Sequence, residues 1–411
     1  MKRYYTRACN FYYGKESEIL VNKNKTIPLN GNKKLSFDHV EIISRTSKKI
    51  LHIKKVKSLN KLLKKLVISD LKKIRLKQKN FANLNFLKIP NIMGVLNLTP
   101  DSFSDGGKFN KNNKGLKHAL KMSESGANII DVGGESTRPG SNAINDKLEW
   151  KRIEKFIKSA KNHIPLSLDT RKSEIMEKGI KFGVKIINDI SGLNYDSETV
   201  NILKKYNIPF VVQHSQGTPE NMQNKPSYKN ELLEIYDFFE KKLKFLKSIG
   251  IKHNNIIIDP GIGFGKNLKH NMNLIRSISI FHALGFPILI GLSRKKFIKD
   301  LSGKNDSKER TGGTIASSLY SMMQGVQILR VHDVNELIQS IKVFKKLIKN
   351  HQVLPSEVLI IGDEVRDIEA AQNIGVDIAS VCWGYNSQKI LISQKPTYLI
   401  QSPQQILDIF N

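Results

Sequence analysis

Residues 91–107 read NIMGVLNLTPDSFSDGG and change character halfway along. The first half is an apolar, β-rich run, whereas the second half consists mainly of small polar residues, a proline and glycines. Residues of the second kind are typical of turns, because their backbones and side chains suit tight bends. The stretch therefore predicts a buried strand that ends in a polar loop, and its context must show whether that loop belongs to a functional site.

The same pattern recurs along the chain after residue 91. Segments of helical period separate the apolar runs, for example 146–160, 228–249 and 312–324. The apolar runs are 91–98, 128–136, 165–170, 185–190, 209–214, 254–261, 287–293 and 326–333. Continuous apolar runs joined by helices are typical of buried parallel strands. Eight such units in about 260 residues predict an α/β fold of the TIM (β/α)8 barrel type, with a doubly wound open sheet as the alternative.

A polar residue stands at the carboxyl end of each predicted strand. In a barrel these ends meet at one mouth, which is where the active sites of this fold lie. We therefore expect a site there, and we expect the loop after the first strand to close over a ligand. The strand-end residues are Asn97, Glu135, Asp169, Asn188, His214, Asp259, Ser293, and Arg330 with His332.

The chemistry of the predicted mouth indicates a class of ligand. Asp169, Asn188 and Asp259 supply hydrogen-bond acceptors deep in the barrel, which suits a heterocycle with several N–H donors. Lys295, after the seventh strand, suits a ring carbonyl. The rim carries basic groups and hydroxyls, which suit a phosphate or diphosphate. These rim residues are Ser136, Thr137, Arg138, Arg330 and His332. The mouth therefore predicts a donor-rich ring with a phosphorylated arm.

The composition predicts a soluble chain with more than one domain. Its 411 residues and 39% hydrophobic content suffice for two or three cores. No apolar run has the length needed to cross a bilayer, so we expect no membrane partner. The two cysteines, Cys9 and Cys382, are too distant and too few for a disulfide framework or a zinc site. We therefore expect a cytoplasmic protein.

Positive charge is concentrated before the barrel. Residues 1–90 carry 23 Lys and Arg against 5 Asp and Glu, residues 91–350 carry 41 against 25, and residues 351–411 carry 3 against 7. The whole chain is rich in Lys, Asn and Ile, however, and no motif that reads nucleic acid accompanies the charge. We therefore do not expect nucleic acid to be a partner.

Seven blocks of this sequence resemble the signature blocks of the dihydropteroate synthase family, in that family's order and spacing. They are MGVLNLTPDSFSDGG, IIDVGGESTRPG, LSLDT, IINDISG, DPGIGFGK, GLSRKKFI and LRVHDV. The resemblance implies a TIM barrel that condenses the diphosphate ester of 6-hydroxymethyl-7,8-dihydropterin with 4-aminobenzoate. The products would be dihydropteroate and diphosphate, in folate synthesis. We also expect Mg2+ as the cofactor and a homodimer as the assembly.

The resemblance implies roles for individual residues. The implied pterin contacts are Asp169, Asn188, Asp259 and Lys295, with Arg330 on the ring face and Phe264 lining the pocket. The residues implied to hold diphosphate and Mg2+ are Asn97, Arg138 and His332, with a further contact from Arg330. The residues implied to border 4-aminobenzoate are Thr137, Pro139 and Ser293.

The implied reaction needs no protein nucleophile. The pterin methylene carbon can lose its diphosphate as a resonance-stabilised cation, so catalysis would consist mainly of charge stabilisation and positioning. Mg2+ and the basic rim would neutralise the departing diphosphate. The catalytic residues that we expect are Asp101 and Asp259, which would steady the cation, and Lys295, which with Ser293 would place the amine.

One residue departs from the family pattern. The fifth strand continues as VVQHSQG, where the family usually has Met-His-Met or Met-His-Asn, so Gln213 replaces an apolar wall of the implied pterin pocket. We expect Gln213 to contact the ring and to tune affinity, because a buried amide costs little when it finds a partner.

Two other functions stay open on the sequence. One is a pterin-binding methyltransferase, which would have no use for a diphosphate site or for the STRPG loop. The other is a pterin-binding scaffold without catalysis, against which the intact acceptors, rim and loops argue.

The flanks of the barrel region, taken as residues 88–350, have separate interpretations. Residues 1–87 predict a small basic α/β appendage of unknown role, which covers the bottom of the barrel or helps it dimerise, with an amphipathic packing helix inside 59–81.

Residues 351–411 resemble the last third of a haloacid-dehalogenase-type phosphatase, a short Rossmann-like fragment. In that family Asp363 and Asp367 would bind Mg2+. The chain has no DxDxT nucleophile motif, so we expect no phosphatase activity.

Overall fold

The structure, a computed structural model, describes residues 4–99, 114–136, 140–350 and 358–409. Its contacts divide the chain into two units, residues 1–345 and residues 346–411. In the described part of the chain, no helix combines the length and the apolar character that a membrane span requires.

An antiparallel sheet of four strands begins the first unit. Its strands are β1 (Tyr5–Tyr13), β2 (Ile27–Leu29), β3 (Asn32–Ile43) and β4 (Lys48–His52), and its helices are α1 (Gly14–Asn22) and α2 (Lys61–Ile74). Strand β3 pairs with each of the other three strands. The sheet packs on the barrel that follows: the Tyr5 ring meets the Tyr236 ring edge-on at 5.2 Å, and Ser279 donates to the carbonyl of Ala8 at 3.0 Å.

Helix α2 shows why the predicted amphipathic stretch is a packing face. Asn60 caps its first turn by accepting a hydrogen bond from the Leu63 N–H. Val67, Leu71 and Ile74 follow at helical spacing and are buried, whereas the lysines between them face solvent. The apolar stripe therefore serves the core of the protein.

Eight parallel strands form the barrel of the first unit. They are β5 (Asn91–Asn97), β6 (Ile129–Gly133), β7 (Leu166–Asp169), β8 (Ile186–Asp189), β9 (Phe210–Gln213), β10 (Ile256–Asp259), β11 (Leu289–Gly291) and β12 (Ile328–Val331). Their spatial order is β10-β9-β8-β7-β6-β5-β12-β11, and a bridge between Ile258 and Ile288 closes the row. The predicted TIM barrel is confirmed, since a doubly wound sheet would stay open.

Helices follow the barrel strands. They are α3 (Lys114–Glu124), α4 (Asp146–Ala160), α5 (Ser173–Lys181), α6 (Thr199–Tyr206), α7 (Glu231–Ser248), α8 (Leu268–Arg276), α9 (Lys296–Ser302), α10 (Thr311–Met323) and α11 (Val334–Asn350). The predicted segments 146–160, 228–249 and 312–324 correspond to α4, α7 and α10. Asn145 and Asn230 cap α4 and α7 through their side chains, which fixes where these helices begin.

Side chains along the barrel strands alternate between the inside and the surrounding helices. Near the amino ends, one apolar cluster contains Met93, Ile129, Ile186, Val211, Ile257, Leu289 and Ile328, which we call the apolar layer. Their strand neighbours, such as Ile130 and Val212, belong to the core beneath the helices. Because the strand period is two, the next inward positions lie one layer closer to the mouth. These positions include Asp131, Asp169, Asn188, Gln213, Asp259 and Arg330, which we call the polar layer.

Residues 81–86 close the amino end of the barrel. Phe81 and Leu84 form an isolated β-bridge, and Leu84 and Phe86 are buried in the same cluster as the apolar layer. The rings of Phe81 and Phe86 meet at 5.2 Å. This short segment of residues 1–87 therefore packs against the apolar layer of the barrel.

The second unit contains a three-stranded parallel sheet. Its elements are β13 (Leu359–Gly362), α12 (Val365–Ile374), β14 (Asp377–Val381), α13 (Gln388–Ser393), β15 (Tyr398–Ile400) and α14 (Gln404–Asp408). Strand β14 is central. Small apolar clusters cover both faces of the sheet, one around Ile368 and Ile378 and the other around Ala379 and Val381. The fragment therefore has a small core of its own.

Candidate active site

A half-buried arginine organises the polar layer. Arg330 of β12 donates a hydrogen bond from Nε to Asp131 Oδ2 at 2.6 Å. Its Nη2 donates to Asp169 Oδ2 at 2.7 Å. Asn188 donates from Nδ2 to the same oxygen of Asp131 at 2.9 Å. Asp131 is fully buried and Asp169 nearly so. We call Arg330, Asp131 and Asp169 the arginine bridge; its cation is what allows two carboxylates to lie inside the barrel.

Asp131 is a site residue that the strand-end pattern does not reveal. It lies in the middle of β6, one layer above Ile129, and its neighbour Ile130 faces the helices. A carboxylate inside the apolar run NIIDVGG is the signal that could have indicated it, because a buried charge needs a specific partner.

Three acceptor oxygens of the polar layer point to a ligand. Oδ1 of Asp131, Oδ1 of Asp169 and Oδ1 of Asn188 are buried and have no hydrogen-bond partner among the described residues. Buried polar atoms are normally paired, so unpaired acceptors at a site indicate a ligand that donates hydrogen bonds. Burial raises the pKa of Asp169, and the Arg330 guanidinium opposes this shift.

A second group of charges lies at the ends of β10 and β11. Asp259 accepts the Gly261 N–H at 2.7 Å through Oδ1. Lys295 donates to the Ile262 carbonyl, and its Nζ stands 4.7 Å from the centre of the Phe264 ring. Burial lowers the pKa of Lys295 to about 8, against the attraction of Asp259. Burial also raises the pKa of Asp259, and Lys295 opposes that change.

Two predicted strand-end residues support the site from behind instead of facing the mouth. The His214 ring meets the Phe238 ring edge-on at 4.9 Å, and its Nδ1 lies 3.1 Å from Lys266 Nζ. Lys266 also donates to the Phe264 carbonyl at 2.8 Å. His214 therefore fixes the loop that carries Phe264.

Glu135 is likewise part of a supporting network. Its carboxylate accepts hydrogen bonds from Arg171 at 2.9 Å and from Lys172 at 3.1 Å. Lys172 also donates to Glu149 at 2.7 Å, so a buried ion-pair network joins the ends of β6 and β7 to α4. The expectation that every strand-end residue faces the mouth is wrong for Glu135 and His214, because the Glu135 carboxylate pairs with Lys172 and the His214 ring packs on Phe238.

Arg330 and His332 of the predicted rim line a cavity of about 980 Å3. His332 Nδ1 lies 3.0 Å from Ser293 Oγ, which couples the loops after β11 and β12. Predicted site residues that line the cavity are Asn97, Phe264, Ser293, Lys295, Arg330 and His332. Asp169, Asn188, Gln213 and Asp259 lie in the polar layer. Asp101, Thr137, Arg138 and Pro139 lie outside the described residues.

This fold and site define a class: a TIM barrel with buried acceptors in its polar layer and with Arg330 and His332 at its mouth, an arrangement that suits a donor-rich ring. The sequence profile of the family described as Pterin binding enzyme matches residues 93–332. The chain belongs to this family of pterin binding enzymes, and within it to the dihydropteroate synthases. A second profile, described as Haloacid dehalogenase-like hydrolase, matches residues 326–381.

Relatives and solved structures agree on this placement. A dihydropteroate synthase of Neisseria meningitidis serogroup B is 40% identical over 264 residues, which are 63% of this chain and 93% of that protein. The structure of Yersinia pestis dihydropteroate synthase with a sulfonamide drug complex superposes with a TM-score of 0.60 at 36% identity, covering 64% of this chain and 94% of the other. That of Xanthomonas albilineans dihydropteroate synthase with 4-aminobenzoic acid has a TM-score of 0.60 at 33% identity, with 65% and 98% covered.

The arginine bridge makes a prediction about stability. Replacing Arg330 by Met should destabilise the folded chain by about 3–5 kcal/mol at neutral pH, because two carboxylates then stay buried without their cation. A carboxyl with a raised pKa in the folded state stabilises folding at low pH and loses that contribution as the pH rises through the folded pKa. The loss of folding stability caused by Arg330→Met should therefore become smaller as the pH falls from 8 to 5. Urea unfolding across this range measures it.

The control is a triple variant, Arg330→Met with Asp131→Asn and Asp169→Asn, which removes all three charges together. It should recover most of the lost stability and show little pH dependence. A deficit of Arg330→Met that grows as the pH falls would contradict the assigned charge balance.

Proposed function

We propose that this chain is a dihydropteroate synthase in activity: it joins (7,8-dihydropterin-6-yl)methyl diphosphate to 4-aminobenzoate. A C–N bond forms between the pterin methylene and the amine, the C–O bond to diphosphate breaks, and the amine loses a proton. The observation that carries the proposal is the set of unpartnered acceptor oxygens on Asp131, Asp169 and Asn188, inside a barrel of this family.

The polar layer would bind the pterin ring by complementary hydrogen bonding. The amino and ring N–H groups of a pterin are donors, so Asp169, Asn188 and Asp259 would accept from them. Lys295, whose Nζ lies over the Phe264 ring, would donate to the carbonyl of the pterin ring. Arg330 would lie against the ring while it keeps its carboxylate partners.

The rim would hold the diphosphate and Mg2+. Mg2+ commonly takes one or two protein oxygens and completes its shell with water and substrate phosphates. Asn97, the last residue of β5, offers an amide oxygen in the cavity that also contains Arg330 and His332. This donor set fits an ion that is bound together with the diphosphate, with Arg138 as a further contact. When bound, Mg2+ would neutralise negative charge on the leaving group.

The residues of the chain would act by positioning and electrostatics. The methylene carbon becomes cationic as the diphosphate leaves, and we assign Asp101 and Asp259 to steady that charge. Lys295 and Ser293 would place the amine, and the contact between Ser293 and His332 fixes the hydroxyl. Thr137 and Pro139 would border 4-aminobenzoate.

We also propose that the protein works in the cytoplasm as a homodimer. We keep the predicted division into an appendage (1–87), a synthase barrel (88–350) and a C-terminal segment (351–411). The diphosphate rim favours a synthase over a methyltransferase, and the intact set of acceptors favours an enzyme over a scaffold.

The test of the proposed activity is diphosphate release that requires both the pterin ester and 4-aminobenzoate. Replacing Asp259 by Asn should lower kcat/KM for the pterin ester roughly 30- to 900-fold, about 2–4 kcal/mol of transition-state stabilisation, because a charged acceptor for ring N–H groups is lost. The KM for 4-aminobenzoate should change little.

Asp189→Asn is a matched control. Asp189 is also fully buried, but it accepts N–H groups of Ser191 at 2.7 Å and Leu193 at 3.2 Å, away from the polar layer. The kcat/KM of this variant for the pterin ester should equal that of the unmodified chain. Normal kinetics in Asp259→Asn would refute the assigned site, and methyl transfer from methyltetrahydrofolate without diphosphate release would favour the alternative function.

We propose that the C-terminal segment is not catalytic. Asp363 Oδ2 accepts the Tyr385 N–H at 2.5 Å, and Asp367 Oδ2 accepts the Glu364 N–H at 3.1 Å. Both carboxylates thus satisfy local backbone donors. Together with the missing nucleophile motif, these hydrogen bonds support the proposal that the segment does not transfer phosphoryl groups.

Removal of the C-terminal segment should leave the synthase intact. A chain that ends at Asn350 should keep diphosphate release within about twofold of the full chain, because the polar layer and its supports lie in residues 91–333. The full chain should release no phosphate from p-nitrophenyl phosphate with Mg2+. Phosphatase activity that Asp363→Asn abolishes would contradict this, as would loss of synthase turnover in the shortened chain.

A further inference from the structure

Gln213 places an amide inside the barrel at the level of the site. It is the last residue of β9, two positions after Val211 of the apolar layer, while Phe210 and Val212 face the helices. The side chain is 3% exposed. Its Nε2 is buried and has no hydrogen-bond partner in the part of the chain that the structure describes.

The backbone fixes where this amide lies. In the parallel register, Gln213 stands beside Asp259. A Cβ atom placed on Gly261 would lie 3.2 Å from Gln213 Cγ and 2.0 Å from the His214 carbonyl oxygen, so the turn after β10 is pressed against β9. The same Gly261 donates its N–H to Asp259. The side chains of Gln213 and Asp259 therefore leave neighbouring strands at the same level of the barrel.

The unpartnered atoms of the polar layer differ in polarity. Those on Asp131, Asp169 and Asn188 are oxygens that accept hydrogen bonds, whereas Gln213 Nε2 is a donor. A ring that satisfied the oxygens alone would leave a buried N–H without a partner, which is unfavourable compared with an apolar side chain of similar size. We therefore expect the ligand to offer a hydrogen-bond acceptor to Nε2 of Gln213.

We propose that Gln213 is a specificity-determining residue, which donates its Nε2–H to an acceptor atom of the bound pterin ring beside the edge held by Asp259. This inference rests on the proposed function. It adds that ring recognition here depends on a donor from β9 as well as on the carboxylates.

The test measures binding of 6-hydroxymethylpterin, the ring without its diphosphate, to the full chain by titration calorimetry. Gln213→Met keeps the size of the side chain and removes its polarity, and should weaken binding about five- to tenfold. Gln213→Glu removes the donor and adds a carboxylate beside Asp259. It should weaken binding at least about tenfold, and binding should improve as the pH falls.

Gln327→Glu is the matched control. Gln327 Nε2 is also buried without a partner among the described residues, but it lies at the amino end of the barrel, where its Oε1 accepts the Ile288 N–H at 2.8 Å. This variant should bind the ring within about twofold of the unmodified chain. In both Gln213 variants, the KM for 4-aminobenzoate should stay unchanged, a result that a general structural defect would not give.

Binding of the ring by Gln213→Met within twofold of the unmodified chain would overturn the assignment alone and leave the proposed function standing. Equal losses for the ring and for 4-aminobenzoate would overturn it as well, because they indicate a structural role. Failure of the unmodified chain to bind the ring would overturn the proposed function, and this assignment with it.

Discussion

A guanidinium held between two buried carboxylates is the interaction on which the interior of this barrel depends. Arg330 of β12 bonds to Asp131 of β6 and to Asp169 of β7, and so links three strands of the barrel. One guanidinium cannot donate to every oxygen of two carboxyl groups, and each carboxyl group keeps an oxygen without a partner in the described structure. The protein is thus left with an excess of acceptors inside a low-dielectric site, which a ligand rich in N–H donors would complete.

The two-residue period of the strands places this charge where it can act. Inward residues of seven strands are apolar near the amino ends, and Leu84 and Phe86 are buried against them. The next inward positions are polar and open toward the cavity through Arg330 and Lys295. The charged groups therefore lie on the apolar layer and on the side of it that is nearer the mouth. This arrangement strengthens their interaction with a ligand relative to the same groups in water.

Much of this organisation could be predicted from the sequence, for definite reasons. The apolar runs predict eight strands, because strands that are buried on both faces have no alternation of polar and apolar residues. Asp169, Asn188 and Asp259 can be recognised as site residues because each stands at the end of such a run. Asp131 did not, because it lies inside a strand, where only the position of its neighbours shows that it faces inward. Glu135 and His214 end strands but turn to Lys172 and Lys266, partners that only the folded chain brings near. The sealing role of Phe86 likewise depends on contacts distant in sequence.

The account's central claim is that buried acceptor oxygens of the polar layer receive the N–H groups of a pterin ring. A crystal structure of the unmodified chain with 6-hydroxymethylpterin tests it most directly. The predicted result is a ring inside the barrel mouth, with its N–H groups about 3 Å from oxygens of Asp169, Asn188 and Asp259. A ring bound elsewhere, or one that turns its acceptor edge toward these oxygens, would contradict the claim.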